Sequence, residues 1–313
     1  MDREGQLSGW TRNLIEAAGL RPGERLLVVV DEPLAGQGEQ LAAAGREHGA
    51  EVELARWDAA APPLEQGGRA DVSLFLAQEP KGSEADARFA LLQAVTGHGG
   101  RQIYLGFVDR ELLEGELSEP AADLSGTAER LLAELDGTKE IHVTAPAGTD
   151  LRLRVEGRPW LTDARALEPG KMANYPGGEV FVAPLADGAD GVLVADLTVP
   201  YTVESLVDEP VRLRFERGRV VSIEGGRAAD MLRDLVLEAG TGADVIAELG
   251  IGFNPAVKPR GHVMLDEKAA KTAHVAIGRN TGPYGGDNEA AIHVDCIFSQ
   301  PSIRADERPI QLP

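Results

Sequence analysis

The chain has 313 residues, enough for two domains, and its 51 acidic and 31 basic side chains give a formal net charge of −20. Such a surface repels polyanions, so the composition argues against binding to nucleic acid or to an anionic membrane. The single cysteine, Cys296, excludes an intramolecular disulfide. Residues 1–6 are polar and the early apolar runs are short, so we expect a cytoplasmic protein without signal peptide or membrane span.

The first part of the chain alternates between helical and extended patterns. Amphipathic or alanine-rich stretches predict helices over 6–19, 34–48, 84–97 and 122–135. Apolar runs predict strands over 25–30, 52–57, 71–77 and 102–107. This alternation predicts an α/β N-terminal domain with a mostly parallel sheet. The sequence contains no complete dinucleotide-binding fingerprint, no Walker A motif and no serine nucleophile elbow.

The pattern changes after a turn signal at Asp136-Gly137. Strands are predicted over 140–144, 151–155, 179–184, 192–199, 211–215 and 220–223, and one helix over 227–238. The sequence Glu-Arg-Gly-Arg at 216–219 is a hairpin signal between the last two strands. We therefore predict that the α/β domain covers 1–138 and that a β-rich α+β metal-binding domain covers 139–313.

His293 and Asp295 form the sharpest local motif. They lie in the apolar stretch 291–298, which is typical of a strand. Alternation along a strand places both side chains on one face. An imidazole and a carboxylate in this arrangement can bind one metal ion. A buried His–Asp hydrogen bond without metal is the alternative.

Three further polar residues are embedded in apolar strand patterns. His274 begins a short apolar run, and Glu179 and Glu248 are each flanked by glycines. Buried carboxylates are rare unless they are paired or bind metal, although an edge position facing solvent would explain each glutamate alone. Taken together with His293 and Asp295, these carboxylates and imidazoles predict a site for two divalent metal ions, with one bridging carboxylate.

At these residues the sequence resembles the metallo-aminopeptidases of the aminopeptidase T and aminopeptidase S type. The matching blocks are Gly-Glu-Val-Phe-Val-Ala-Pro at 178–184, Ala-Glu-Leu-Gly-Ile-Gly-Phe-Asn at 247–254, and 265–278 continuing to 292–295. The resemblance implies a homodimeric hydrolase that releases N-terminal amino acids from peptides, using two zinc, cobalt or manganese ions. It implies five metal ligands, namely Glu179, Glu248, His274, His293 and Asp295. It also implies that Glu248 is the general base.

The sequence departs from the family at its catalytic tyrosine. The family places this residue seven positions after the first ligand histidine, where this chain has Thr281. We expect Tyr284 to take the role of stabilising the oxyanion. Two alternatives stay open. The first is a ring-opening dioxygenase of the related hydroxypyridine branch, with a single non-heme iron bound by two histidines and one carboxylate. The second is a non-catalytic peptide-binding relative.

A basic cluster accompanies the third block in an otherwise acidic chain. It comprises Arg260, Lys268, Lys271 and Arg279. We interpret these residues as salt-bridge partners of neighbouring acids such as Glu267. The alternative is that they orient the carboxylate of a peptide.

Overall fold

The computed structural model describes residues 9–78, 84–119, 122–164, 167–203 and 205–313. Residues 1–8, where the first predicted helix begins and where we expect no signal peptide, lie outside the described residues. The chain divides into two compact units. The first comprises the described residues of Met1–Ala122 and Ala166–Pro176, and the second those of Asp123–Arg165 and Gly177–Pro313. The domain boundary at residue 138 stays a prediction.

The first unit contains a five-stranded parallel sheet. Its strands are β1 (Arg25–Val30), β2 (Glu51–Arg56), β3 (Val72–Leu76), β4 (Arg101–Leu105) and β8 (Met172–Asn174), in the order β2-β1-β3-β4-β8. Its helices are α1 (Gly9–Ala17), α2 (Ala35–Glu47), α3 (Leu64–Gly67), α4 (Ala85–Thr96) and α5 (Arg110–Glu114). Consecutive residues of β1 and β3 are buried, as expected when both faces of a parallel sheet are covered. The predicted α/β arrangement is confirmed.

The second unit contains two antiparallel sheets. The first consists of β5 (Glu140–Thr144), β6 (Asp150–Arg154), β10 (Ala189–Ala195), β11 (Val211–Glu216), β12 (Arg219–Glu224), β16 (Ser302–Ala305) and β17 (Arg308–Pro309), in the order β12-β11-β10-β6-β5-β16-β17. The second consists of β7 (Leu161–Thr162), β9 (Glu179–Val182), β13 (Ile246–Gly252), β14 (Thr272–Gly278) and β15 (His293–Ser299), in the order β15-β14-β13-β9-β7. The helices are α6 (Ser125–Leu135), α7 (Arg227–Ala239) and α8 (Val263–Asp266). The predicted β-rich α+β character is confirmed.

The core of the second unit is a single apolar cluster that draws on both sheets. Leu151 and Leu153 of β6 belong to it, as do Leu249 and Ile251 of β13 and Val275 of β14. Since side chains alternate along a strand, the residues between these positions in β13 and β14 point to the other face. That face is therefore available for polar side chains.

Two local features show how the sequence sets strand ends. The predicted hairpin joins β11 to β12 through Arg217 and Gly218, both with positive φ, as a type I′ turn requires. The strand predicted over 192–199 instead ends at Ala195. The next side chain, Asp196, accepts hydrogen bonds from the backbone N–H and hydroxyl of Ser299. Among the described residues, no helix is long and apolar enough to cross a bilayer.

Candidate metal centre

The register of three neighbouring strands brings Glu248, His293 and Asp295 to one face of the five-stranded sheet. Glu248 of β13 pairs with Ala276 of β14, which pairs with Asp295 of β15. His293 lies two residues before Asp295 on β15 and therefore shares its face. A β-bulge follows Ile246, and a bulge next to a site re-aims the side chains beyond it.

The same face carries the two other predicted ligands. His274 of β14 pairs with Gly250, and Glu179 at the start of β9 pairs with Gly252. The two glycines alternate with Leu249 and Ile251, whose side chains lie in the core. Polar ligands and glycines on one face, with apolar residues on the other, explain why these strands are apolar yet contain buried glutamates.

The five side chains converge into two groups that share Glu248. Its Oε1 lies 3.5 Å from His274 Nε2, and its Oε2 lies 3.3 Å from His293 Nε2. Glu179 Oε2 completes the first group at 3.6 Å from His274 Nε2, and Asp295 Oδ1 completes the second at 3.2 Å from His293 Nε2. Ligands about 2.1 Å from one ion lie roughly 3 to 4 Å apart. Each group therefore has the spacing of a metal site.

A backbone carbonyl fixes the orientation of the His293 ring. His293 Nδ1 lies 2.6 Å from the carbonyl oxygen of Arg279. A carbonyl only accepts, so Nδ1 carries the hydrogen of this bond, and Nε2 is the ring nitrogen that faces Glu248 and Asp295. Metal-binding histidines are commonly held by a second hydrogen bond of this kind.

Gly250 provides the space that the His274 imidazole occupies. A Cβ built at this position would overlap the ring atoms Cε1 and Nε2 of His274. Since glycine is the one residue without a Cβ, position 250 controls where the imidazole lies.

We expect Gly250→Ala to displace the His274 ring and to weaken metal binding at the Glu179–Glu248–His274 group. Overpacking of this kind costs about 1–3 kcal/mol of folding free energy. Gly126→Ala in α6 is the control, because a Cβ there meets no atom within 4 Å. Metal titration and urea unfolding of both variants test this. Equal metal affinity in Gly250→Ala and the wild type would refute the expectation.

Glu179 has one oxygen paired and one left over. Its Oε1 contacts Lys268 Nζ at short range. Its Oε2 is buried and has no hydrogen-bond partner within the described part of the chain. An unpaired carboxylate oxygen in a buried position is costly. Its position opposite His274 Nε2 fits a missing cation, so the residues present are suited to hold metal ions.

The pKa values show a surplus of negative charge at this centre. Burial lowers the pKa of His274, but the facing carboxylates, Glu248 first among its hydrogen-bond partners, raise it overall to about 10. Burial likewise opposes the ionisation of Asp295, but the facing His293 imidazole lowers its pKa to about 2. Burial raises the pKa of Glu179 well above its usual range. A group of ligands that attracts protons this strongly also attracts metal cations.

Tyr284, the predicted oxyanion donor, lies against the second group. Its ring stacks on His293 with centroids 4.3 Å apart and an interplanar angle of 18°. Burial raises the pKa of its hydroxyl well above the usual range, so the phenol stays neutral and can donate a hydrogen bond. Two side chains hold the loop that contains Tyr284, between β14 and β15. Asn280 Oδ1 accepts a hydrogen bond from the Asn288 backbone N–H, and Arg158 donates one to the carbonyl of Gly285.

Sequence reasoning did not place three charged residues, Asp163, Glu267 and Lys268, next to this centre. Lys268 lies 2.9 Å from Asp163 Oδ2 and 2.9 Å from Glu267 Oε1, in addition to its contact with Glu179. The interpretation of Lys268 as a partner of Glu267 is confirmed, but the lysine is fully buried and not part of a surface cluster. The only sequence signal was that Glu267 and Lys268 lie inside a block that resembles the aminopeptidases.

Comparison with protein families and curated proteins finds two kinds of relative. A family model described as NicX, 2,5-dihydroxypyridine 5,6-dioxygenase, matches residues 92–311. A 2,5-dihydroxypyridine 5,6-dioxygenase of Pseudomonas putida is 28% identical over 199 residues, which cover 59% of this chain and 55% of the relative. Aminopeptidase AmpS of Bacillus subtilis is 28% identical over 204 residues, which cover 57% and 48%. The chain spans about half the length of the curated relatives it matches.

Solved structures of both kinds share the fold. The 2,5-dihydroxypyridine dioxygenase of Pseudomonas putida superposes with a TM-score of 0.80 at 20% identity, over 98% of this chain and 95% of that one. Wild-type AmpT of Thermus thermophilus superposes with a TM-score of 0.71 at 19% identity, over 98% and 97%. The resemblance to the aminopeptidase T and S type is confirmed.

Proposed function

The chain belongs to the NicX family, and we propose that it is a metal-dependent aminopeptidase that hydrolyses the N-terminal peptide bond of peptides. The observation that carries this proposal is the divided carboxylate of Glu248, whose two oxygens face the imidazoles of His274 and His293. One carboxylate that serves two adjacent metal positions is the arrangement expected of a two-metal hydrolase.

The formal charge of the centre supports two divalent ions. Five largely buried carboxylates lie around it, belonging to Asp163, Glu179, Glu248, Glu267 and Asp295. Lys268 offsets one of them. The four remaining negative charges equal the positive charge of two divalent cations, whereas one ion would leave a costly excess.

The ligand set also assigns roles to individual residues. Glu179, Glu248 and His274 would hold one ion, and Glu248, His293 and Asp295 the other. When bound, the two ions polarise the scissile carbonyl and lower the pKa of water. The general-base role that the resemblance implies for Glu248 would require one of its two oxygens to leave its ion, so that it could accept the proton of the attacking water and pass it to the leaving amine.

We assign the role of oxyanion donor to Tyr284, whose ring lies against the second group of candidate ligands. Its neutral phenol, stacked on His293, would donate a hydrogen bond to the negative oxygen that develops on the substrate carbonyl. Removal of one such donor typically costs about 10²–10³ in kcat. In this role Tyr284 would replace the catalytic tyrosine that the aminopeptidases carry at the position of Thr281 in this chain.

The test is the release of N-terminal leucine or methionine from short peptides by protein loaded with zinc, cobalt or manganese. The same peptides with an acetylated N-terminus are the control, and we expect them to resist cleavage. Absence of cleavage of several free peptides by protein that holds two ions would contradict this function and would favour a non-catalytic peptide-binding protein. A homodimer, which the resemblance implies, stays a prediction that sedimentation can check.

A second candidate is a ring-opening dioxygenase that acts on a hydroxylated pyridine. One observation favours it: Asp295 Oδ1 lies 3.2 Å from His293 Nε2 and 3.8 Å from His274 Nε2, so these residues alone form a two-histidine, one-carboxylate set. The ion pair of Lys268 with Glu179 occupies Oε1 of that glutamate without metal. Oxygen consumption with 2,5-dihydroxypyridine by protein holding one iron per chain would establish this candidate.

A further inference from the structure

We infer that Lys268 is a positioning residue of the metal centre, which holds Glu179 so that only its Oε2 faces the Glu179–Glu248–His274 position. This inference rests on the proposed function in that it assumes two metal positions. Lys268 lies two residues after the end of α8 and has no exposed surface. Its ammonium group contacts Glu179 Oε1, whereas the other oxygen, Oε2, has no hydrogen-bond partner among the described residues.

The backbone of Glu179 is held by Asp163 and Thr162 and makes no hydrogen bond with Lys268 itself. Asp163 Oδ1 accepts hydrogen bonds from the N–H groups of Gly178 and Glu179, at 2.8 and 3.1 Å. The hydroxyl of Thr162 donates to the Glu179 carbonyl at 2.6 Å. The strand start is therefore anchored on both sides, and what is left to set is the direction of the side chain.

Lys268 sets that direction and is itself held in place. Asp163 Oδ2 and Glu267 Oε1 each lie 2.9 Å from Nζ, so the ammonium has three carboxylate partners and little freedom to move. A buried lysine is retained only when it is paired in this way. With Oε1 committed to Lys268, Glu179 presents a single oxygen 3.6 Å from His274 Nε2.

The second metal position has no ligand in an ion pair with Lys268. Its ligand atoms come from Glu248, His293 and Asp295, and none of the Lys268 ion pairs described above involves them. Loss of Lys268 should therefore act on one position and leave the other. A residue needed only for folding would affect both positions or neither.

We expect Lys268→Met to lower the binding affinity for one of the two metal ions by about 10–100-fold, which is the usual loss when a residue that orients a metal ligand is removed. The other equivalent should keep the wild-type affinity. Lys268→Arg, which keeps donors for all three carboxylates, should restore the weakened equivalent. Lys139→Met removes an exposed lysine and is the control. If Lys268→Met does not fold, Lys268→Gln serves for the same titration.

The measurement is zinc titration against a chromophoric chelator, with total zinc counted by mass spectrometry. Two equivalents at wild-type affinity in Lys268→Met, or equal weakening of both, would overturn the inference. Because the readout is metal content, its failure is separable from that of the proposed function. A wild-type protein that binds two ions but cleaves no peptide refutes the function alone, and one that binds a single ion refutes both.

Discussion

Glu248→Gln is expected to abolish binding of both metal ions and to lower peptide hydrolysis by at least about 10³-fold. The amide keeps the size of the side chain but loses the charge, and it cannot offer an anionic oxygen to each of His274 and His293. Loss of the metal contribution is worth several kcal/mol of transition-state stabilisation, and each 1.36 kcal/mol is about tenfold in rate.

Glu224→Gln is the matched control for this variant. Glu224 is the last residue of β12 and is exposed, so the substitution should change neither metal content nor rate. Metal analysis and initial rates of both variants decide the matter. If Glu248→Gln still held two ions with unchanged affinity, Glu248 would not be the shared ligand. If it retained a single iron, the set of His274, His293 and Asp295 would be the metal site instead.

His293→Ala is expected to remove one metal ion and to lower hydrolysis by about 10²-fold or more. The substitution deletes the only imidazole of the Glu248–His293–Asp295 group and the ring on which Tyr284 stacks. Loss of a residue that merely orients a metal ligand already lowers metal affinity or activity by about 10–100-fold. Loss of the ligand itself should lower them at least as much.

His142→Ala tests whether the effect is specific. His142 lies on β5 in the other sheet and pairs with Asp150, away from the predicted ligands. Its replacement should leave metal content and rate unchanged. Two ions retained in His293→Ala would contradict the assignment, as would an active His293→Ala enzyme. An inactive His293→Ala protein that still folds would exclude the non-catalytic alternative.

The sequence singled out the candidate ligands because each stands out against an apolar strand. His293 and Asp295 are spaced for one face of a strand, and Glu179 and Glu248 are carboxylates where burial is otherwise expected. What the spacing could not show is that their strands are neighbours. That depends on the strand order β15-β14-β13-β9, which places Glu179 beside the others although it lies far away in sequence.

The residues that support the ligands could not be predicted in the same way. Glu267 and Lys268 are adjacent charged residues, which in most sequences indicate a solvated turn. Lys268 is buried in an ion pair with Asp163, which lies just after β7 and far from the lysine in sequence. The short strand β8 was missed for a related reason, since its three residues contain no apolar run and join the first sheet only through pairing with β4.

The central claim is that two metal positions share Glu248, and anomalous scattering at the zinc edge from crystals of zinc-loaded protein tests it most directly. We predict two peaks. One should lie within bonding distance of Glu179, Glu248 and His274, and the other within bonding distance of Glu248, His293 and Asp295. A single peak bound by His274, His293 and Asp295, with Glu179 paired to Lys268 alone, would contradict the account.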